Sequence, residues 1–278
     1  MYVALNSVTI QGRVPWPAFA HLAHRAGYGG VDVNLGKAIE EGVDSTRALF
    51  KELNLKPASL PFPVEVRKDD ATFREGLKAL PRAAEFAAAI GCPRMVTWIL
   101  SSTPTPKEEL RKTLKQRFQA AAEILAKSKV RLGLEFLGPL HIRKAAPHEF
   151  IWRMDEMTEF AKEIGPNVGL LLDSWHWHHA GATAADIVKA GKQRIVHVHL
   201  ADAPKLPPEQ IKDQERLLPG DGVIDWKSFF GALKKIGYDD GCSPEIFMAS
   251  LKEKTPEQAA RLALDGSLKA MRIGGVRT

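Results

Sequence analysis

The segment "GLLLDSWHWHHAG", Gly169 to Gly181, ends an apolar run in an aspartate, Asp173, and then places His176, His178 and His179 within the next six residues. Carboxylate and imidazole groups at the point where a buried run stops are suited to moving protons or to holding a divalent cation. Three other segments end in the same way. "VRLGLEFLG" delivers Glu135, "RIVHVHLAD" carries His197 and His199, and "GCSPEIF" carries Glu245. Two glutamates, an aspartate and an imidazole form an oxygen-rich set that suits one divalent ion: Mn²⁺, Mg²⁺, Co²⁺ or Zn²⁺. With only two cysteines in the chain, a cysteine-built structural zinc site is excluded. Any single acid of this kind more commonly caps a helix or pairs with an arginine. Its recurrence at four successive run ends is what those bystander roles leave unexplained.

Side chains on a strand alternate between faces, so His197 and His199 share one face at different depths. His199, nearer the end of the run, is the expected ligand, and His197 the expected buried, hydrogen-bonded core imidazole. His176 follows Asp173 by three residues and is placed to lean over a bound ion, whereas His178 and His179 fall in the following loop.

The elements that must position these groups are legible as a rhythm. Short β-branched or apolar runs alternate with longer segments of helical period, which is the pattern of β/α units. Eight strand candidates follow in order: "SVTIQG", "GGVDVN", "KPASLP", "RMVTWIL", "VRLGLEFL", "VGLLLDS", "IVHVHLA" and "SPEIF". Helices are predicted to begin near Pro15, Ser45, Asp69, Pro106, Pro147, Thr183, Asp225 and Thr255. Ser45 and Asp225 offer caps, Pro106 suits a first turn, and Gly27, Gly91, Gly165 and Gly237 follow predicted helix ends. Eight such units predict a single α/β domain over residues 1–278, a (β/α)8 TIM barrel, in which strand carboxyl ends converge on one mouth. A doubly wound sheet is the alternative, but "QGRVPW" stands where its glycine-rich phosphate loop would follow the first strand.

Composition bounds the partners. The chain has 278 residues and a net charge of +6, from 39 basic and 33 acidic residues, with the basic ones spread along helices such as "KEELRKTLKQRF". That distribution reads as a solvated surface rather than a nucleic-acid groove, with at most weak, salt-sensitive steering of anions. No run approaches the roughly 20 apolar residues of a membrane span, and the start "MYVALNSVTIQGR" lacks the layout of a signal peptide, so a cytoplasmic location without membrane contact is expected. Cys92 and Cys242 are expected to be reduced, packed thiols. The oligomeric state is left open, a homo-oligomer included.

In order and spacing, "LEF" with Glu135, "DSWH" with Asp173 and His176, "HVHLAD" with His199, "LPGDGVIDW", and "GYDDGCSPEIF" with Glu245 resemble the xylose isomerase-like TIM barrels. These form the sugar phosphate isomerase/epimerase superfamily, with its ketose 3-epimerases, inosose dehydratases and hydroxypyruvate isomerases. The motifs match over the last half of the chain, and the first half agrees only in its β/α rhythm. The resemblance implies one divalent metal on Glu135, Asp173, His199 and Glu245, with His176 contacting a carbohydrate substrate. In the epimerase branch the two glutamates also exchange protons with the substrate from opposite faces. The chain departs from that branch at two positions. His141 stands six residues after Glu135, where an acid is expected, and Lys205 six residues after His199, where an arginine is expected. A lysine supplies charge but not the two-pronged grip of a guanidinium.

The expected chemistry is proton transfer next to a carbonyl through a metal-stabilised enediolate, as in isomerisation or epimerisation. Loss of a β-hydroxyl, giving dehydration of a keto-inositol or related polyol, is the alternative. Trp98, Trp175 and Trp177 are candidate walls for the apolar face of a sugar. Two rivals are weighed against this reading. An abasic-site DNA endonuclease of the same superfamily needs further histidines where this chain reads "SLPFPV", "VTWILS" and "PGDGV", with Val223 in one of those places. A non-catalytic metal-binding barrel needs only the ligands, since fold does not imply function.

Overall fold

The computed structural model describes residues 1–277. Its centre is a closed barrel of eight parallel strands: β1 (Tyr2–Leu5), β2 (Gly30–Asp32), β3 (Lys56–Pro61), β4 (Arg94–Ile99), β5 (Arg131–Phe136), β6 (Val168–Asp173), β7 (Ile195–Leu200) and β8 (Gly241–Pro244). Neighbours in sequence are neighbours in the barrel, and β8 closes on β1. Strands β6 and β7 are buried at every residue. Burial on both faces is why their sequences run apolar without alternation. At Gly133 in β5 a Cβ would come within about 3.1–3.2 Å of β4, β6 and β7 atoms, so the interior is closed by contact at this level rather than open as a pore.

Around the barrel run α1 (Ala18–Ala26), α2 (Leu35–Glu41), α3 (Val43–Glu52), α4 (Asp70–Ala89), α5 (Lys107–Lys127), α6 (Leu140–Arg143), α7 (Met154–Ile164), α8 (Ser174–His179), α9 (Ala184–Ala190), α10 (Trp226–Lys235) and α11 (Pro256–Ile273). Asp69 caps α4 by accepting from Thr72 N, Asp225 caps α10 by accepting from Ser228 N, and Thr183 and Thr255 build reciprocal capping boxes with Asp186 and Gln258. Gly27, in the left-handed region, closes α1. Cys92 and Cys242 are buried free thiols, and among the described residues no helix is long and apolar enough to cross a membrane.

Several predicted boundaries are displaced. The first strand is Tyr2–Leu5, and Ser7–Ile10 of the expected "SVTIQG" is a 3-10 helix. Its β-branched residues favour a strand, but Asn6 Oδ1 accepts from Val8 N, Thr9 Oγ1 donates to Pro244 O, and left-handed Gln11 stops the chain. Ser45 caps nothing, because Asn34 starts α2 first and α3 begins at Val43. Pro106 precedes α5 rather than entering it. The segment after Pro147 pairs His148–Glu149 with Ser102–Thr103 in a small antiparallel ribbon, and its helix begins only at Met154. Strand β8 begins at Gly241 and ends at Pro244, three residues before the end of "SPEIF", yet Glu245 N still donates to Leu200 O and extends the pairing by one step.

Candidate metal centre

Strands β5 to β8 are consecutive staves, and each presents one acid or imidazole at its carboxyl end. Asp173 lies directly beside His199 in the β6–β7 register, and His199 beside Ser243 in the β7–β8 register. One ligand atom from each of Glu135, Asp173, His199 and Glu245 lies within 4.8 Å of the other three. The aspartate stands at a junction. It ends β6 and caps α8, its Oδ1 accepting from Trp175 N at 2.8 Å, which leaves Oδ2 for the site.

These groups fit a divalent cation by what they lack. Glu135 Oε1 and both ring nitrogens of His199 are buried with no hydrogen-bond partner, a state that costs free energy unless something else satisfies them. His199 Nδ1 is 3.6 Å from Glu245 Oε2 and 3.8 Å from Glu135 Oε1. A second grouping of Asp32, His197 and His199 is also compact, but its atoms are largely engaged. His197 Nε2 meets Ser243 Oγ at 2.9 Å, and Asp32 accepts from Ser59 and Asn6.

The electrostatics record three carboxylates forced together. Burial, with Glu245 and Asp173 adjacent, pushes Glu135 well above the ordinary carboxylate range. Burial raises Asp173 as well, although Arg216 opposes it. Burial also works against Glu245, but His199 and Arg216 outweigh it and hold that carboxyl at about 2. His199, which burial alone would lower, is pushed up to about 10 by Glu245 and Glu135. In the protein by itself, a proton on His199 supplies part of the positive charge that the ligand set demands.

The rest of that charge comes from a residue the sequence analysis did not single out. Arg216 is buried, its Nη1 donating to Asp173 Oδ2 at 2.7 Å and to Glu245 Oε2 at 3.0 Å, and its Nη2 to His176 Nε2 at 3.1 Å. Burial and Arg216 together hold His176 well below its ordinary value, so the ring is neutral and accepts. Arg216 is aimed by Asp202. The backbone of Asp202 pairs with Leu217 in both directions, and its carboxylate accepts from Ala203 N, Gly220 N, Ile224 N and Trp226 Nε1. At Gly222 a Cβ would fall 2.2 Å from Ala203 O, so the "PGDG" turn can lie this close to Asp202 only as glycine. The legible signal was that Arg216 is the only arginine between His199 and this turn.

A cavity of about 340 Å³ opens onto the centre and is lined by Glu135, His199 and Glu245, by Asp32, Asn6 and Ser59, and by Trp16 and Trp98, among others. Of the residues expected to touch substrate, Trp98 lies on this wall and is 41% exposed. The other five are not part of its lining. His176 is buried behind Arg216. Trp175 is fully buried, its indole N–H donating to Asp213, and Trp177 is packed against Phe229. Lys205 is exposed on the β7–α10 loop, which runs on to deliver Arg216 instead. His141 sits on the short α6, outside the cavity and near Asp213.

A family model described as xylose isomerase-like TIM barrel matches residues 20–270. The chain belongs to that family. It is similar to the inosose isomerase of Halalkalibacterium halodurans, at 25% identity over 232 residues, covering 82% of this chain and 80% of that one. It is also similar to the L-ribulose 3-epimerase of a Methylomonas species, at 26% identity over 238 residues, covering 82% and 77%. Among solved structures, a xylose isomerase domain protein from Alicyclobacillus acidocaldarius superposes with a TM-score of 0.89 at 28% identity, over 98% of this chain and 99% of that one. The IOLI protein, solved with a zinc atom, superposes with a TM-score of 0.82 over 99% and 98%, and at 23% identity it shares the fold.

Proposed function

We propose that the protein is a divalent-metal-dependent sugar or polyol-ketone isomerase or epimerase. The observation that carries this reading is the set of Glu135, Asp173, His199 and Glu245 within 4.8 Å, at adjacent strand ends and open to one cavity. Relatives named as an isomerase and an epimerase support the class. When bound, the metal supplies Lewis acidity, drawing charge from a substrate carbonyl and the neighbouring hydroxyl.

The chain's own groups do the rest. Glu135 and Glu245 both border the cavity and flank His199, so one carboxylate takes the proton from the carbon beside the carbonyl. Its return by the other carboxylate to the opposite face gives epimerisation, and return to the adjacent carbon gives isomerisation. Arg216 holds Asp173, Glu245 and His176 in register, and Trp98 offers an apolar wall.

The test is wash-in of deuterium from solvent at the α-carbon of ketoses, hydroxypyruvate and inososes by Mn²⁺-loaded protein, with products identified. Glu135→Gln and Glu245→Gln should each cost at least about 10²-fold in turnover, the lower range for a general base. Near-native exchange in either variant would sink the assignment. A binding-only barrel would hold metal without exchanging label.

A further inference from the structure

The cavity has a second polar wall that the metal chemistry does not use. Asp32, at the end of β2, lines it on the side of the barrel opposite β6. Asn6 Nδ2 donates to Asp32 Oδ2 at 3.0 Å, and Ser59 Oγ donates to Oδ1 at 2.7 Å. Three consecutive strands thus set one carboxylate in place, with Asn6 just past β1 and Ser59 within β3. A carboxylate has about four acceptor positions, so these two bonds leave it able to accept more.

Neutralising His197 does not account for Asp32. His197 Nε2 already meets Ser243 Oγ at 2.9 Å and is 3.4 Å from Asp32 Oδ1. The His197 side chain is fully shut in, whereas that of Asp32 keeps 14% exposure. Asp32 is also close enough to the centre to matter, with a carboxylate oxygen within 4.8 Å of a His199 nitrogen.

The charge of the lining is one-sided. It includes Asp32, Glu135 and Glu245, with His199 as the only basic residue and no lysine or arginine. The guanidiniums near this region are committed elsewhere. Arg216 is bonded to Asp173 and Glu245, while Arg67, which is not part of the lining, stacks on the Trp98 ring at 3.7 Å and turns its Nη2 toward Glu65 at 3.5 Å. A divalent ion would offset the carboxylates it binds and leave Asp32 as an unmatched anion.

We propose that Asp32, aimed by Asn6 and Ser59, is a specificity-determining residue that accepts hydrogen bonds from substrate hydroxyls entering the cavity and excludes phosphorylated or carboxylated analogues. The substrate class is then an uncharged vicinal polyol ketone. This rests on the function proposed above and adds the identity of the selecting group.

The experiment compares calorimetric binding of myo-inositol and myo-inositol 1-phosphate to Mn²⁺-loaded wild type, Asp32→Asn and Ser59→Ala, with metal content and thermal melting checked for each. Wild type should favour the neutral ligand. Asp32→Asn should weaken it by about tenfold or more, the size expected for a hydrogen bond to a charged group, and narrow the preference over the phosphate. Ser59→Ala should shift both in the same direction by less, and it guards against a folding defect in the first variant. An unchanged preference in a folded, metal-loaded Asp32→Asn would overturn the proposal, as would a wild type that favours the phosphate or binds neither ligand. Because no turnover is required, loss of deuterium exchange in wild type with this preference intact would refute the function alone.

Discussion

Glu135, Asp173, His199 and Glu245 are held by burial in an arrangement that is unfavourable for the protein alone, and a proton on His199 and the Arg216 guanidinium relieve it. Because His199 is pushed up to about 10, it bears a proton at neutral pH that a cation must displace, while burial and the neighbouring carboxylates also raise Glu135. Metal binding should therefore release at least about one proton and tighten as pH rises toward 10. The sign follows from competition, since protons occupy the same atoms as the metal. Calorimetry in buffers of different ionisation enthalpy checks this, and release of none would be inconsistent with the ligand set. Arg216→Gln removes a buried partner of two carboxylates and should cost the metal-free protein about 3–5 kcal/mol. Added Mn²⁺ should then raise its melting temperature by more than it raises that of wild type. Equal shifts would mean that Arg216 does not share the charge of the centre.

At the level of elements, the β7–α10 loop is shaped by one side chain. Asp202 binds three backbone amides and the Trp226 indole while its own backbone holds Leu217, which fixes where Arg216 enters. Asp202→Ala should cost about 3 kcal/mol or more by urea denaturation, since hydrogen bonds to a charged group are worth about 1.5–3 kcal/mol each, and it should lower turnover by freeing Arg216. What was legible in the sequence follows the same division. The four ligands could be read because each ends a continuous apolar run, and strand period and direction then carry them to one rim. Asp32 ends such a run too, "GGVDVN", but a lone acid after a short strand has many ordinary explanations. Arg216 was hidden because counting forward from His199 reaches Lys205, whereas the long loop sets its position from the glycine turn backward. Helix starts could be read where a side chain caps, as at Asp69, Thr183, Asp225 and Thr255. They slipped where an extra helix or ribbon intervenes, as at Ser45 and Pro147.

Over the whole molecule, the net charge of +6 suggests an attraction for anions that the cavity does not repeat. For an uncharged substrate, kcat/KM should change by less than about twofold between roughly 0.05 and 0.5 M NaCl, because screening acts on long-range fields that such a molecule does not feel. A steep fall with salt would point to an anionic substrate. The barrel also divides its labour by position. Strands β5 to β8 carry the acids and imidazole of the centre, whereas Asn6, Asp32, Ser59 and Trp98 stand on or just past β1 to β4. Drift in the first half of such a chain can therefore retune which molecule is admitted while the reactive rim in the second half stays intact, and one ancestral scaffold can supply many catalysts that differ in diet but not in chemistry.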